Sequence, residues 1–383
     1  MASKSIAKRP NGKWRARYRD NANKEHAKHF DRKVDAQRWL DEVTTSIVTG
    51  QYVNPNAGKT TLREYAEQWR RAQPHRETTR QRTESQFRNH VYPAFGDVPI
   101  ANIKPSDVQA WVQRLATPDP ESDRKNGGAL QPRTIAVVHG MIHGVFAAAV
   151  RDRKIASNPC ADTRLPKPEK SKVIPMTMDQ LDRLTEAMPE HLKALVTLTA
   201  GTGLRQGETF GLTIDRIDFL RRTVTVNRQL QYLEAGPKLV RPKTDASVRD
   251  VPLPQVVVDA LAAHVAAHGT ADLDGEQLVF SAPEGAPYRR SRFSDAVWRP
   301  AVKSAGLPEG TRFHDLRHLY ASLLIRHGES VKTVQARLGH ASAAETLDTY
   351  SHLWPDSDDT TRAAVDAAFS HRIEGGGATE KTS

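Results

Sequence analysis

The stretch His314-Asp315-Leu316-Arg317-His318 decides how this chain reads. Residues three apart in a helix share a face, so His314 and Arg317 project together, one turn apart. His314 and His318 also have the i, i+4 spacing of a zinc pair. The Glu of the His-Glu-x-x-His metalloprotease motif is missing, and no cysteine cluster is available. No metal site is therefore expected.

Downstream come Leu338-Gly339-His340 and, ten residues later, Tyr350. Gly339 suits a helix end, and a lone Tyr after a polar helix reads by itself as a packed or surface aromatic. Upstream lies Thr202-Gly203-Leu204-Arg205-Gln206-Gly207-Glu208. This Gly-rich turn lacks the Gly-Lys-Ser/Thr of a nucleotide-binding loop. Read alone, Arg205 could simply pair with Glu208 for structure. Between the two lies Pro242-Lys243-Thr244, followed by Ser247, Arg249 and Val251-Pro252-Leu253. Without context, Lys243 is a solvated lysine on or near a turn between strands.

The 383 residues imply two or three domains, since domains run about 100–200 residues. Lys and Arg outnumber Asp and Glu by 56 to 45, a net charge of +11, with a pI near 9.7. Such a balance favours a polyanion partner, nucleic acid ahead of an anionic membrane surface. No run approaches the ~18 consecutive apolar residues of a membrane span. Met1 to Pro10 is basic but lacks the apolar core of a secretory signal. A single cysteine, Cys160, excludes an intrachain disulfide, fits a reducing compartment and reads as structural.

Two polar, Pro-rich stretches, Gly50 to Lys59 and Asn158 to Pro175, read as linkers that divide the chain into three. In the first part (1–55), Lys13, Arg15, Arg17 and Arg19 alternate with Trp14, Ala16 and Tyr18. That predicts a strand with aromatics on one face and a basic, DNA-contacting opposite face. A helix is predicted from Asp35 to Val48. The second part (60–160) reads as all helical. Leu62, Tyr65, Ala66 and Trp69 share a face, and Ser106 with Gln109 predicts a capping box. A long helix is predicted from Pro132 to Arg151. Arg76, Arg80, Arg82 and Arg88 crowd its second helix, as a solvated or a phosphate-contacting face. The third part (173–371) is mixed. Strands are predicted over 222–228 and 248–253, and helices from Thr177, Leu192, Gln255, Ser291 and about His314. Ser330 and Ser342 cap two short final helices. A further helix is predicted from Asp356 to Arg372. Residues 372–383 are a Gly-rich, polar tail expected to be disordered.

Together these residues resemble the tyrosine recombinase or phage integrase family. Arg205 matches the family's first arginine in Gly-Leu-Arg-x-x-Glu, and Lys243 its hairpin lysine. His314 and Arg317 match His-x-x-Arg, His340 the Leu-Gly-His position, and Tyr350 the nucleophile. All six positions are filled, in order. The resemblance is strong over the last half of the chain. The middle part looks like the family's core-site-binding domain. The first part is similar, by a weaker motif, to the arm-site-binding domain of phage-type integrases. The resemblance implies a multidomain chain: a small α+β N-terminal domain, an all-α domain, and a mixed, mainly helical α+β catalytic domain.

The chemistry accounts for the residue types. Attack on an anionic phosphodiester adds charge, which two guanidiniums, Arg205 and Arg317, can hold bidentately. His340 would donate to the same oxygens. A free Tyr hydroxyl has a pKa near ~10, and the cationic neighbours are expected to favour the Tyr350 phenolate. His314 is the expected acid/base or positioning residue, and Glu208 a support for Arg205. The resemblance assigns Lys243 to protonating the leaving 5′-oxygen, and implies a 3′-phosphotyrosine formed without ATP or cofactor. It also implies double-stranded attachment sites as partners and a homotetramer working through a Holliday junction. A host DNA-bending protein, an excisionase and the cytoplasm of a bacterial host belong to the same picture. The final helix would dock on a neighbouring protomer or pack on its own domain. Other readings are a dimer resolvase, a type IB topoisomerase and a non-catalytic DNA-binding module. The N-terminal part argues against the first, and the complete catalytic set against the last. The need for two specific sites would discriminate against the topoisomerase.

Overall fold

The computed structural model describes residues 4–20, 23–49, 54, 57–121, 128–168, 172–354, 361–363 and 365–369. The chain forms two compact units, residues 1–170 and 171–383.

The first unit opens with an antiparallel meander, Lys4–Lys8, Trp14–Arg19 and Glu25–Phe30, with the middle strand at its centre. Alternation along the middle strand sends Ala16 and Tyr18 inward, where they meet Ala36 and Leu40 of the helix Lys33–Val48. Trp39 closes this small core, edge-on to Tyr18 at 5.4 Å between centroids. Arg15, Arg17 and Arg19 take the other face, as the alternation predicts. Strand pairing there brings all three to Glu25, at 3.4, 4.0 and 3.7 Å.

The helical part follows. Thr61 caps Leu62–Ala72, accepting from Glu64 N–H while the Glu64 carboxylate takes the Thr61 N–H. Glu77–Gln86 continues through Phe87–Val91 into Tyr92–Phe95, and Pro105–Ala116 and Pro132–Arg151 complete the set. The core gathers Leu62, Phe87, Val91, Trp111, Ile135, Ile142 and Phe146. Pro132–Arg151 is long and apolar enough to cross a membrane by length and composition. Its apolar stripe, from Ile135 to Ala149, is instead buried in this core.

Two expectations change. Ser106 does not cap its helix. Pro105 occupies the first turn, where its missing N–H costs nothing, and Asp107 accepts the Lys104 N–H at 2.9 Å. Gln109 instead exchanges two hydrogen bonds with the Arg164 backbone. The stretch read as a linker from Asn158 is thus held on the helical part. Asn158 donates to the His143 carbonyl, and Cys160 is buried in the core, which pushes its thiol up to about 12.

The second unit is built on Glu190–Thr202, whose Leu192, Leu195, Val196 and Leu198 are buried against Val257, Leu261, Leu316 and Leu319. Met178–Ala187 precedes it, with the expected Thr177–Gln180 capping box. Ile217–Asp218, Thr223–Val226 and Arg249–Pro252 form an antiparallel sheet, pairing the two strands the alternation predicts. A hairpin not anticipated from sequence, Gln229–Leu233 with Gly236–Val240, lies between them in the chain. Gln255–His268, Arg290–Phe293 and Arg299–Ser304 follow. A smaller core joins Tyr320 and Ile325 of Asp315–Arg326, Val334 and Leu338 of Val331–Leu338, and Tyr350 of Ala343–Tyr350. Ser330 and Ser342 cap the last two helices, as expected. Of the helix predicted from Asp356 to Arg372, residues 361–363 and 365–369 are helical. The remainder, with the 372–383 tail, lies outside the described residues.

Phe146 is fully buried, so Phe146→Ala should destabilise the helical part by about 3–5 kcal/mol. A lower denaturant midpoint for that part's unfolding transition is the measurement.

Candidate active site

The site is organised by two helix ends. Glu190–Thr202 stops at Gly203 and Val331–Leu338 at Gly339, both in the left-handed region at φ +65° and +64°. Each needs glycine twice over. A Cβ on Gly203 would lie 2.4 Å from Tyr320 Cδ1, and one on Gly339 3.0 Å from the Ala246 carbonyl. The turns expose carbonyls left without helical partners, and arginines take them. Arg317, buried, donates to the Gly203 oxygen at 2.7 Å and the Leu338 oxygen at 2.6 Å. Arg205 donates to the Gly339 oxygen at 3.0 Å, and Arg249 to the Arg337 oxygen at 2.8 Å.

Glu208 ties this cluster together. Its carboxylate accepts from the Arg205 backbone at 2.9 Å and side chain at 3.0 Å, and from Arg249 at 3.0 and 3.3 Å. Burial opposes its ionisation, but Arg249 and then Arg205 hold it below the usual carboxylate range. Three guanidiniums against one carboxylate leave the cluster positive. Burial, then Arg205, lowers the Arg317 pKa to about 9, while Glu208 pulls it upward. Arg317 remains a cation at neutral pH, hydrogen-bonded to carbonyls rather than to an acid. A buried cation without an ionic partner favours an anionic ligand.

His340 follows the Gly339 turn. Its Nδ1 meets the Thr346 hydroxyl at 2.9 Å, and burial followed by Arg317 and Arg205 pushes its pKa down to about 3. Its ring stacks beside Tyr350, centroids 6.5 Å apart and planes at 9°. Tyr350 is buried, and burial raises its hydroxyl to about 12, with Glu345 and Asp315 adding to the rise. Arg317 and Arg205 act the other way and lose. The cations do favour the phenolate, as expected, but desolvation outweighs them at this geometry and the net shift is upward.

His314 caps the helix that carries Arg317, but its side chain makes no hydrogen bond among the described residues and lies exposed. Desolvation, then His318, Arg317 and Arg205, lowers its pKa; its exposure tempers the first of these causes. The Tyr350 hydroxyl instead meets His318 Nδ1 at 2.8 Å. In the sequence, His318 stands out only as a zinc partner for His314. Its placement one helical turn beyond His314 was the signal that it faces the same site. Arg249 was also left without a role, and nothing in the sequence marks it as the second cation on Glu208.

Lys243 stands apart. It lies beyond the hairpin strand Gly236–Val240, on the connection to Arg249–Pro252, exposed and without a hydrogen bond or ion pair among the described residues. Arg76, Arg80, Arg82 and Arg88 are exposed along Glu77–Gln86 and its ends, and their side chains likewise make no ion pair among the described residues. Lys13 reaches Asp31 at 3.5 Å, at the edge of the small sheet. Among the described residues, no group of three or more His, Cys, Asp or Glu side chains is placed to hold a metal ion.

Comparisons with known proteins agree along most of the chain. Residues 175–356 match the model of the phage integrase family, 61–116 that of a phage integrase N-terminal SAM-like domain, and 5–49 that of a phage integrase N-terminal domain. A putative prophage phiRv2 integrase of Mycobacterium tuberculosis is 29% identical over 354 residues, covering 89% of each chain. The integrase of Mycobacterium phage L5 is 26% identical, covering 82% of this chain and 83% of its own. Among solved structures, the Tn1549 transposon integrase in complex with transposon right end DNA superposes with a TM-score of 0.67 at 24% identity. That match covers 80% of this chain and 99% of the other. A lambda integrase tetramer bound to a Holliday junction gives 0.58 at 18% identity, covering 89% and 96%.

Glu208→Gln tests the keystone. Removing one partner of a buried pair costs about 3–5 kcal/mol, so the melting temperature should fall at pH 7. Because the folded Glu208 pKa is lowered, its contribution is complete above the ordinary value of 4.5 and is lost as pH falls through the lower folded value. The gap between the native chain and Glu208→Gln should therefore narrow in acid, as thermal melts across that range would show.

Proposed function

The chain belongs to the phage integrase family of tyrosine recombinases, and from that premise we propose that it integrates a mobile DNA element by transesterification at Tyr350. The observation that carries this reading is the meeting of Arg205, Arg317, His340 and Tyr350 around the Leu338–Gly339 turn. A positive, partly buried cluster beside a tyrosine hydroxyl suits a phosphodiester whose charge rises on attack. In this reading Arg205 and Arg317 hold the non-bridging oxygens, with Glu208 and Arg249 keeping Arg205 in place. His340 donates to the same oxygens. The Tyr350 oxygen bonds to phosphorus and the 5′-oxygen leaves, giving a 3′-phosphotyrosine and a free 5′-hydroxyl. Lys243 supplies the leaving oxygen's proton from its exposed connection, which must approach the site when DNA is bound. The phosphotyrosine conserves the bond energy, so rejoining to a new strand needs no ATP.

The same reading gives residues 60–160 to core-site binding, with Arg76, Arg80, Arg82 and Arg88 on phosphates. Residues 1–55 bind separate arm sites through Lys13, Arg15, Arg17 and Arg19. Four protomers exchange strands through a Holliday junction in the bacterial host cytoplasm. A host DNA-bending protein assists, and an excisionase directs the reverse reaction.

A nicked suicide substrate carrying the core site, resolved on a denaturing gel, tests the chemistry. The native chain should form a protein–DNA adduct and Tyr350→Phe none, with DNA binding retained; an adduct from Tyr350→Phe would refute the assignment. Deleting residues 1–55 should leave core-site cleavage intact and impair integration. Equal integration by the shortened chain would sink the arm-site role.

A further inference from the structure

The Tyr350 hydroxyl has a partner outside the six matched positions. His318 Nδ1 lies 2.8 Å from it, and the two rings are T-shaped with centroids 5.6 Å apart. The pair joins two helices, Asp315–Arg326 and Ala343–Tyr350. Neither other imidazole nearby makes this contact. His314 sits edge-to-face against His318 at 4.8 Å, and its side chain makes no hydrogen bond among the described residues. His340 stacks on Tyr350, and its Nδ1 is engaged by Thr346.

A phenol facing an imidazole nitrogen donates, and Nδ1 accepts when the ring's own proton is on Nε2. The surroundings keep that lone pair available. Burial, with Arg317 and Arg312, lowers the His318 pKa against the opposite pull of Asp315. Burial holds the Tyr350 proton on its oxygen, up to about 12. The proton must therefore depart during attack rather than before it, and a group already within hydrogen-bond reach is placed to receive it.

We propose that His318 is a catalytic residue, the base that takes the Tyr350 proton as the phenol oxygen attacks the DNA phosphorus. This role rests on the transesterification described above. In cleavage, the bond from the Tyr350 oxygen to phosphorus forms and the bond from phosphorus to the 5′-oxygen breaks. The phenol proton moves to His318 Nδ1, and the 5′-oxygen takes a proton from a separate acid, the role given to Lys243. In rejoining, the 5′-hydroxyl returns its proton to Lys243 as its oxygen bonds to phosphorus, the bond from phosphorus to the Tyr350 oxygen breaks, and the His318 imidazolium gives its proton to the departing tyrosine oxygen. The groups facing His318 are His314, Asp315 and Arg317 of its own segment, Arg312 just before it, and Tyr350 and His340 across from it. Asp315 is the acid in this set and favours the transient imidazolium.

The experiment uses the full chain on the nicked suicide substrate. His318→Asn keeps a short polar side chain beside Tyr350 but cannot take a proton. DNA binding should persist while adduct formation slows by roughly 10²–10⁴-fold, the usual contribution of a general base. The acidic limb of the native rate profile, where His318 protonates, should disappear. His318→Ala supplies the second arm: added imidazole should restore adduct formation. A His318→Asn chain that reacts within about tenfold of the native rate, with the native pH profile, overturns the proposal. So does a DNA-binding His318→Ala chain that imidazole fails to rescue. An adduct that requires Tyr350 yet ignores His318 defeats this role alone, whereas an adduct from Tyr350→Phe defeats the transesterification reading itself.

Discussion

Three guanidiniums share one corner of the second unit, and the hydrogen bonds that hold them there set everything around them. Like charges at such range repel, and taking them out of water costs several kcal/mol per ion. Glu208 answers two of them, Arg205 and Arg249. The third, Arg317, has carbonyls only. Those carbonyls lie at the C-terminal ends of Glu190–Thr202 and Val331–Leu338, where unpaired oxygens and the helix dipole give partial negative charge. Helix ends thus take the place of further carboxylates. The consequence is a cluster that is held by hydrogen bonds yet still positive, which a set of matched ion pairs would not be.

That arrangement also constrains the backbone. The carbonyls point at the arginines because each helix stops in a left-handed glycine; a Cβ on Gly203 would clash with Tyr320, and one on Gly339 would crowd the Ala246 carbonyl and Arg249. Tyr320 belongs to the same small core as Tyr350. Tyr350, the Gly339 turn that precedes it and the guanidiniums beside it are therefore parts of one packed assembly, and a shift in any of them is felt by the rest. Packing has a chemical cost as well. It buries the Tyr350 hydroxyl and raises its pKa even with Arg317 and Arg205 nearby.

The two basic faces of the first unit follow a different logic. On the small sheet, Arg15, Arg17 and Arg19 are gathered by Glu25, so that face is a neutralising network as well as a basic strand. On the helical part, Arg76, Arg80, Arg82 and Arg88 stay exposed without acidic partners among the described residues. By charge alone, the second face is the stronger attractor of phosphate.

Much of this was legible in the residues themselves. Period-two alternation around Trp14, Ala16 and Tyr18, and helical stripes from Leu62 and Ile135, are local signals that act through nearest neighbours. The same holds for the Thr177, Ser330 and Ser342 caps, and for His314 and Arg317 one turn apart. The order of Arg205, Lys243, His314, Arg317, His340 and Tyr350 then pointed to the family. Long-range pairing was not legible. No pattern in the chain links Glu208 to Arg249, Arg317 to the Gly203 carbonyl, or the Tyr350 hydroxyl to His318 rather than His314. Those contacts depend on how separate helices pack, and on a balance of burial against charge that exists only once the chain has folded. The sequence by itself determined which functional groups are present and in what order; the tertiary structure decided which of them touch, because hydrogen bonds and desolvation act over a few ångströms of space and not along the chain.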